Sequence, residues 1–383
     1  MTDPVRLVDL WPQHDPLLAD IQQAIAAVAR RSAFAGGEEV AALEAELARR
    51  CGTAHAVATS SGTAALLLAL RALDLAPGDE IATVPNSDPS TTAAIVHAGA
   101  AVRLVDIEAG TFVMSPAALE RAITPRTRAV VPVHLYGYPA PMDAILEVAA
   151  RHHLFVIGDA ALALGAVSAG RLVTAVGDAA CLSFAPRKIL GGWGNGGMVV
   201  TRSAELAARI RTLRAYGEAA PGSTDAHRSV IACGYNLRLD TLQAAVLLQK
   251  LPRLGAWIER RREIGARYRR LFAGTPVRVP AVPAGSEPVY RYFAVRLPGR
   301  QRDAVRHRLA EQAIETAIHY VPPQHLQPAY QYLACPRGSF PETERAAEEV
   351  LLLPLYPEMP DADIDRVARS VLEALAVEME VRA

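Results

Sequence analysis

The 383-residue sequence has few of the features that mark secreted, metal-binding or membrane proteins. Its four cysteines, Cys51, Cys181, Cys233 and Cys335, include no C-x-x-C pair. This pattern disfavours a disulfide framework and a structural zinc site, so we expect no metal. The first residues lack the basic start and apolar stretch of a signal peptide, and no uncharged apolar run reaches the roughly 18 residues of a membrane helix. We therefore expect a cytoplasmic protein without a membrane partner.

An excess of charge of one sign is also lacking. Forty Lys and Arg residues balance forty Asp and Glu residues, so the formal net charge is zero and no nucleic-acid partner is expected. The six arginines between Arg260 and Arg270 alternate with Glu259 and Glu263, which is typical of a solvated helix face. Because 51% of the residues are hydrophobic and 21% are charged, the chain is globular rather than disordered.

Lysine is the scarcest charged residue. Lys188 and Lys250 are the two lysines, and the other 38 basic residues are arginines. A guanidinium group cannot replace a neutral, nucleophilic primary amine, so a position that stays lysine is a candidate for covalent chemistry. Lys250 ends the helical stretch DTLQAAVLLQK, and chance survival is a sufficient explanation for it. The surroundings of Lys188 indicate instead a functional amine.

From about Glu38 onward the sequence alternates helix-like and strand-like segments. EEVAALEAELARR and PMDAILEVAARHH have the apolar spacing of amphipathic helices, whereas HAVAT, EIATVP, RAVVPVHLYG and LFVIGDA are typical of buried strands. This alternation predicts right-handed crossovers and a mostly parallel sheet with helices on both faces. In such sheets ligands bind at the carboxyl ends of the strands.

The pattern changes near Leu239. Two long helices, TLQAAVLLQKL and WIERRREIGARYRRLF, are predicted there, followed by the strand VYRYFAVRLP and by further helices. This order predicts a smaller α+β domain after the large sheet domain. We therefore divide the chain into residues 1–240, the N-terminal segment with the large domain, and residues 241–383, the small domain.

Three segments of the large domain point to one chemistry. The turn SSGT at residues 60–63 follows a strand and opens a helix, so it can cradle a phosphate, although it can also be a simple helix cap. Asp159 follows the apolar run LFVI, where it can pair with a cation or merely cap the next helix. Lys188 lies in SFAPRKILGGWGNGG, whose glycines precede a strand and so do not form a dinucleotide fingerprint.

A phosphate cradle, a carboxylate and an isolated lysine are together what pyridoxal phosphate (PLP) requires. The lysine forms a Schiff base with this cofactor, the carboxylate keeps the pyridine nitrogen protonated, and the ring serves as an electron sink. The sequence therefore predicts a PLP enzyme with Lys188 and Asp159 as its catalytic residues.

Much of the chain resembles the sugar aminotransferases of the DegT/DnrJ/StrS type, which are PLP enzymes of fold type I. The similar stretches include SGTAALLLAL, APGDEIATVP, VPVHLYGYPAPMD, SFAPRKILGGWGNGGMVVT, GYNLRLDTLQAA and IETAIHYVPPQH. The resemblance implies an α/β fold with a mostly parallel central sheet, helices on both faces and a smaller α+β C-terminal domain. It also implies a homodimer with shared active sites.

The resemblance implies a role for each matching residue around the cofactor. Lys188 would form the Schiff base and move protons during amino transfer. Asp159 would bind the pyridine nitrogen. Gly62, Thr63 and Ser183 would hold the phosphate.

Further residues are assigned by the same resemblance. Asn236 would reach the phosphate from the neighbouring subunit, and Arg238, His319 and Tyr320 would lie near the substrate. A structural role for His319 stays open. His134 is interpreted as a strand residue rather than a catalyst.

Two cofactor-binding positions depart from the family. Leu162 stands where the family has a glutamine or a histidine, so a polar contact near the cofactor is missing. Asp88 stands, by our alignment, where the family places an aromatic residue over the pyridine ring, and a carboxylate cannot supply that stacking surface. Either another residue such as Trp193 covers the ring, or the chemistry has drifted, or the alignment is shifted by one residue.

The predicted function is transfer of an amino group from an amino acid, with glutamate or glutamine as the expected donor. The acceptor is a keto-sugar, often nucleotide-linked, or a cyclic ketone. Two alternatives stay open: elimination, dehydration or aromatisation on the same scaffold, and a catalytically silent partner protein. Retention of Lys188 disfavours simple dehydration, and only Asp88 and Leu162 support a silent protein.

Overall fold

A computed structural model describes residues 3–219, 230–298 and 301–380. In chain order the strands are β1 (His55–Thr59), β2 (Glu80–Thr83), β3 (Ala101–Leu104), β4 (Thr127–Val130), β5 (Phe155–Asp159), β6 (Val167–Ser168), β7 (Arg171–Leu172), β8 (Ala179–Ser183), β9 (Gly197–Thr201), β10 (Phe293–Arg296) and β11 (Val350–Leu353). The helices are α1 (Trp11–His14), α2 (Leu18–Arg31), α3 (Glu38–Arg50), α4 (Gly62–Arg71), α5 (Pro89–His97), α6 (Pro116–Ala122), α7 (Met142–Arg151), α8 (Ala204–Arg214), α9 (Thr241–Lys250), α10 (Leu254–Leu271), α11 (Arg302–Glu311), α12 (Pro341–Glu349) and α13 (Asp361–Glu380).

A seven-stranded sheet in the order β1-β9-β8-β5-β4-β2-β3 forms the centre of the molecule. Strands β8, β5, β4, β2 and β3 run parallel, whereas β9 runs antiparallel to both of its neighbours. The predicted mostly parallel sheet is therefore confirmed. Because β9 returns between β1 and β8, its first residue, Gly197, pairs with the last residues of both neighbours, Thr59 and Ser183.

Helices cover both faces of this sheet, as predicted. On one face α3 and α9 bury Leu43 and Leu247 in a cluster that also contains Met198 of β9. On the other face α4 and α5 bury Leu68 and Ile95. Apolar helix stripes therefore enclose the sheet, and its polar residues are free to gather at the strand ends.

The apolar stretch RAVVPVHLYG is shorter as a strand than predicted. β4 ends at Val130, and a short 3-10 turn follows at Leu135–Gly137. The connecting segment still runs beside β5, because Asp159 N–H donates to the Pro132 carbonyl (2.9 Å) and His134 N–H donates to the Asp159 carbonyl (3.1 Å). This segment brings His134 to the carboxyl end of β5.

The C-terminal part forms the predicted α+β layer. β10 and β11 pair antiparallel, and α10, α11 and α13 pack around them. Phe293 and Leu352 of this layer share one buried cluster with Val130 and Tyr136 of the large sheet region. The division at residue 240 stays a prediction.

The arginines of α10 are not all solvated, which corrects the sequence prediction. Arg261 is only 3% exposed. Its guanidinium donates to the carbonyls of Tyr290 (3.3 Å) and Leu355 (3.4 Å), because it lies on the packed side of the helix.

None of the helices in the three described ranges combines the length and the apolar composition that crossing a bilayer requires.

The close packing of the chain after β4 can be tested by substitution of Gly137. Its φ is +89°, and a Cβ there would lie 2.8 Å from the backbone nitrogen of Arg291. We expect Gly137→Ala to lower the free energy of unfolding by about 2–5 kcal/mol, because left-handed strain and overpacking add. Gly99 is the matched control, since its φ is also +89° but its Cβ position is open. Gly99→Ala should cost only about 1–2 kcal/mol in chemical denaturation. Equal losses would contradict the close packing.

Candidate active site

The ends of β5 and β8 position the two predicted catalytic residues. Asp159 is the last residue of β5, and Lys188 lies in the loop that follows Ser183 at the end of β8. This loop closes on itself, because the N–H of Gly192 donates to the Phe184 carbonyl (2.8 Å). Since β5 and β8 are neighbours in the sheet, the loop holds Lys188 beside Asp159.

A narrow recess at this edge of the sheet, here called the strand-end recess, is lined by Ser87, Asp88, Ser90, Val133, His134, Leu135, Asp159, Ala161, Leu162, Lys188 and Tyr320. Five predicted site residues therefore lie together: Asp88, Asp159, Leu162, Lys188 and Tyr320. The recess therefore contains two carboxyl groups and one amine, and part of its wall is apolar.

Asp159 is buried and held by two hydrogen bonds. Thr91 Oγ1 donates to its Oδ2 (2.8 Å), and the N–H of Ala161 donates to its Oδ1 (3.1 Å). Burial raises the pKa of the Asp159 carboxyl, whereas these two bonds and the charge of Lys188 act in the opposite direction. A carboxylate in this position suits a protonated ring nitrogen, which would neutralise it inside the recess.

Lys188 has the environment of a reactive amine. Burial lowers the pKa of its ammonium group, and the positive charge of Arg291 lowers it further, while Asp159 and Asp88 act in the opposite direction. A lowered pKa increases the fraction of neutral amine, which is the nucleophilic form.

The turn between β1 and α4 fits a phosphate. Ser61 caps α4 by accepting a hydrogen bond from the N–H of Ala64 (3.0 Å). Gly62 and Thr63 are the first helical residues, so their N–H groups have no carbonyl partner within the helix. A Cβ on Gly62 would lie only 2.7 Å from the Ser183 Cβ, which places Ser183 against the turn. The three predicted phosphate residues therefore lie together at a helix N-terminus.

Asn236 and Arg238 lie outside the strand-end recess. Both side chains are exposed, and Arg238 Nη2 donates to Asn236 Oδ1 (3.3 Å). Their segment lies next to the phosphate turn, because the N–H of Ser60 donates to the Leu237 carbonyl (2.9 Å). Their roles at a neighbouring subunit or a substrate stay predictions.

Tyr320 lines the recess, whereas His319 packs behind it. The His319 ring lies 5.1 Å from the ring centroids of both Tyr320 and Tyr292. Burial, followed by the charge of Arg291, lowers the pKa of His319, so its ring is neutral near pH 7. Burial and the charge of Asp88 raise the pKa of Tyr320, so its phenol keeps its proton.

Two departures from the family pattern have structural explanations. The Asp88 carboxylate caps α5 by accepting a hydrogen bond from the N–H of Ser90 (3.0 Å), and Leu162 contributes an apolar wall. Trp193 does not line the recess of its own chain; it is 36% exposed, with its ring 5.9 Å from that of His14. The aromatic side chain that lines the recess is Tyr320.

His134 lies in the recess although the sequence favoured a strand role. Its Nδ1 accepts a hydrogen bond from the N–H of Ala140 (2.9 Å), and burial lowers its pKa to about 3. The neutral ring therefore carries its proton on Nε2, which has no hydrogen-bond partner among the described residues. His134 thus adds a fixed, uncharged donor at the end of β5.

Lys250 also has a structural position that the sequence did not reveal. It is completely buried, and its Nζ donates to the Gly191 carbonyl (2.5 Å) and lies 3.2 Å from His14 Nε2. Burial lowers the pKa of Lys250 to about 8. Lys250 therefore anchors the loop that carries Lys188, which chance survival does not explain.

With this geometry established, comparison with known proteins assigns the family. A model of the DegT/DnrJ/EryC1/StrS aminotransferase family matches residues 17–372. The chain belongs to this family. The dTDP-3-amino-3,4,6-trideoxy-alpha-D-glucose transaminase of Streptomyces venezuelae is 41% identical over 373 residues, which are 97% of this chain and 96% of the relative.

Solved structures support the same assignment for this aminotransferase. The X-ray structure of DesV from S. venezuelae matches with a TM-score of 0.93 and 40% identity, covering 98% of this chain and 99% of that chain. NtdA from Bacillus subtilis, solved with bound cofactor PMP, matches with a TM-score of 0.87 and 30% identity, covering 97% of this chain and 83% of that chain. The predicted fold, enzyme class and PLP cofactor are confirmed.

Substitution of Thr91 tests whether its hydrogen bond to Asp159 keeps that carboxyl ionised. We expect Thr91→Val to weaken PLP binding to the apoprotein about 10-fold, because a hydrogen bond to a charged carboxylate is lost. Loss of this bond raises the pKa of Asp159 further. On acidification, the PLP affinity of Thr91→Val should therefore begin to fall at a higher pH than that of the unmodified protein. Absorbance titration with PLP at several pH values measures both effects.

The matched control for this test is Thr92→Val, because Thr92 is equally buried but its hydroxyl has no partner among the described residues. Its PLP affinity and pH dependence should match those of the unmodified protein. Equal behaviour of the two variants would show that the bond from Thr91 to Asp159 is unimportant.

Proposed function

We propose that this aminotransferase moves an amino group from glutamate or glutamine to the carbonyl carbon of a keto-sugar, with Lys188 and Asp159 as catalytic residues. One observation carries the proposal: a half-buried amine and a buried carboxylate share one recess, beside a turn that fits a phosphate. The sugar acceptor is supported by the 41% identical transaminase, which is named for a dTDP-linked amino sugar.

The residues of the recess would have different roles in the reaction. When bound, PLP supplies an electron sink for the carbon that gains or loses a proton. Asp159 would keep a proton on the pyridine nitrogen, and the N–H groups of Gly62 and Thr63 would hold the phosphate. Lys188 would hold the cofactor covalently before the donor binds, and its neutral Nζ would take a proton from the donor α-carbon. The same nitrogen would deliver a proton to the sugar carbon in the second half of the reaction.

A second cavity supports an acceptor that is nucleotide-linked. It encloses about 460 Å³ and is lined in part by Arg187 and Arg306. Arg187 directly precedes Lys188 in the chain, so the cavity and the strand-end recess are lined by residues of the same loop. Two guanidinium groups suit a diphosphate.

We also infer a homodimer whose active sites are shared, with Asn236 of each chain near the phosphate of the other. The segment before Asn236 is unusually apolar for an exposed surface, since Val230 is 61% exposed and Ile231 is 68% exposed. Apolar side chains of this size at a surface favour an interface with another protein. The position of Asn236 beside the phosphate turn supports the same arrangement.

Borohydride trapping tests the role of Lys188. We expect the PLP-loaded protein to show visible absorbance that borohydride discharges, leaving the cofactor attached to the peptide that contains Lys188. Lys250 is the internal control, because the chain has no other lysine and its Nζ is occupied by the Gly191 carbonyl. Lys188→Ala should abolish the absorbance. Label on the Lys250 peptide would overturn the assignment.

The donor and the acceptor are tested separately in the two half-reactions. We expect L-glutamate or L-glutamine to convert the PLP-loaded enzyme to its pyridoxamine phosphate form, which absorbance at the visible band records. A panel of free and nucleotide-linked keto-sugars is then added to that form, and one class should restore the absorbance. Absorbance that no amino acid discharges would favour elimination chemistry or a silent protein instead.

A further inference from the structure

Arg291 is a buried cation that pairs with no carboxylate among the described residues. Its side chain is 1% exposed, and its Nε and Nη1 have no hydrogen-bond partner among the described residues. Two other buried arginines have hydrogen bonds at the guanidinium: Arg296 pairs with Glu349 Oε2 (2.7 Å), and Arg261 Nη1 donates to two carbonyls, although Arg261 Nε has no partner among the described residues. A buried charge is retained in proteins when an anion satisfies it, because an unpaired one is strongly destabilising.

Arg291 lies directly behind the strand-end recess. A Cβ on Gly137 would lie 2.8 Å from the Arg291 backbone nitrogen and 3.0 Å from the carbonyl of Leu162, which lines the recess. The positive charge of Arg291 is also second only to burial in lowering the pKa of Lys188.

The side chains around Arg291 contact its guanidinium and include a second nitrogen without a hydrogen-bond partner among the described residues. The Arg291 Cζ lies 4.1 Å from the ring centroid of Tyr292, and Tyr292 packs edge-on against His319. His319 stacks in turn on Tyr320, which lines the recess. The Nδ1 of His319 is also buried without a partner among the described residues. Two unsatisfied nitrogen groups therefore lie on one side of the recess.

The chemistry of the two substrates indicates which anion arrives. The cofactor phosphate already has the turn at Gly62 and Thr63. In a nucleotide-linked acceptor the diphosphate is separated from the reacting carbonyl by the sugar ring. In an amino-acid donor, however, the carboxylate is bonded to the same carbon as the amine, so it enters the recess with the reacting nitrogen. A planar guanidinium fork matches a carboxylate in two parallel hydrogen bonds.

We propose that Arg291 binds the α-carboxylate of the amino-acid donor. The assignment rests on the proposed amino-transfer function and adds the residue that selects its donor. Glutamate and glutamine share this carboxylate, so the assignment holds for either one. The guanidinium of Arg291 then has an anionic partner only while a donor is bound. Binding of α-amino acids is therefore favoured over binding of simple amines.

Kinetics of the donor half-reaction test the proposal. We expect Arg291→Gln to raise the half-saturating L-glutamate concentration about 10- to 100-fold, because charge-assisted hydrogen bonds are lost. Arg291→Lys should show a smaller rise. With 4-aminobutyrate, which lacks the α-carboxylate, Arg291→Gln should change the reaction far less than it does with L-glutamate. The acceptor half-reaction should also change far less, because only the lost effect of the Arg291 charge on Lys188 acts there.

Arg261→Gln is the matched control, since it removes another buried guanidinium that bonds only to carbonyl groups. It should lower the melting temperature without changing the half-saturating glutamate concentration. An unchanged glutamate requirement in Arg291→Gln would overturn the proposal, and so would a change confined to the acceptor half-reaction. If Arg291→Gln does not fold, Arg291→Lys decides by the same measurement.

A binding measurement separates this proposal from the proposed function. Glutarate is glutamate without the amine, so it can occupy the carboxylate site without reacting. We expect glutarate to raise the melting temperature of the PLP-loaded protein and to have no such effect on Arg291→Gln. This result would stand even if no keto-sugar were ever aminated, whereas an equal shift in both proteins would exclude Arg291 as the carboxylate site.

Discussion

The pairing of half-buried Lys188 with buried Asp159 in one recess is the interaction on which the site depends. Each group is penalised for losing water, and each favours the charged form of the other. Neither could be buried alone without a large loss of stability. The sheet meets this constraint because β5 and β8 are adjacent and parallel, so the last residue of one strand faces the loop that follows the other. The pairing of β5 with β8 therefore determines both the fold of this region and the position of the two reactive groups.

Much of the fold was predictable because its signals are local. Alternating apolar runs and amphipathic stretches predicted the strands and helices in the right order. The motifs predicted Lys188 and Asp159 as site residues, and the two lie in one recess. Local patterns failed where tertiary packing decided the outcome. β4 ends at Val130 because Pro132 has no N–H to continue the ladder, although the segment after it still runs beside β5. Arg261 is buried because the small-domain layer packs against α10.

The sequence did not reveal residues whose contacts lie far away along the chain. Thr91 reaches Asp159 over 68 positions and Lys250 reaches Gly191 over 59, distances at which no spacing rule applies. One usable signal was present for Arg291, which is a basic residue inside the apolar run VYRYFAV. A charge inside such a run is costly, so its position indicated a side chain that requires a partner of opposite charge.

The returning strand β9 has a consequence for how this scaffold can change during evolution. It separates the end of β1 from the end of β8, and Gly197 pairs with both, so Thr59 and Ser183 lie two backbone spacings apart, about 10 Å. This separation is set by the main chain, so replacement of side chains cannot change it. Variation among related sites is therefore expected in the loops that follow the strands, while the spacing of the strands that carry them is retained.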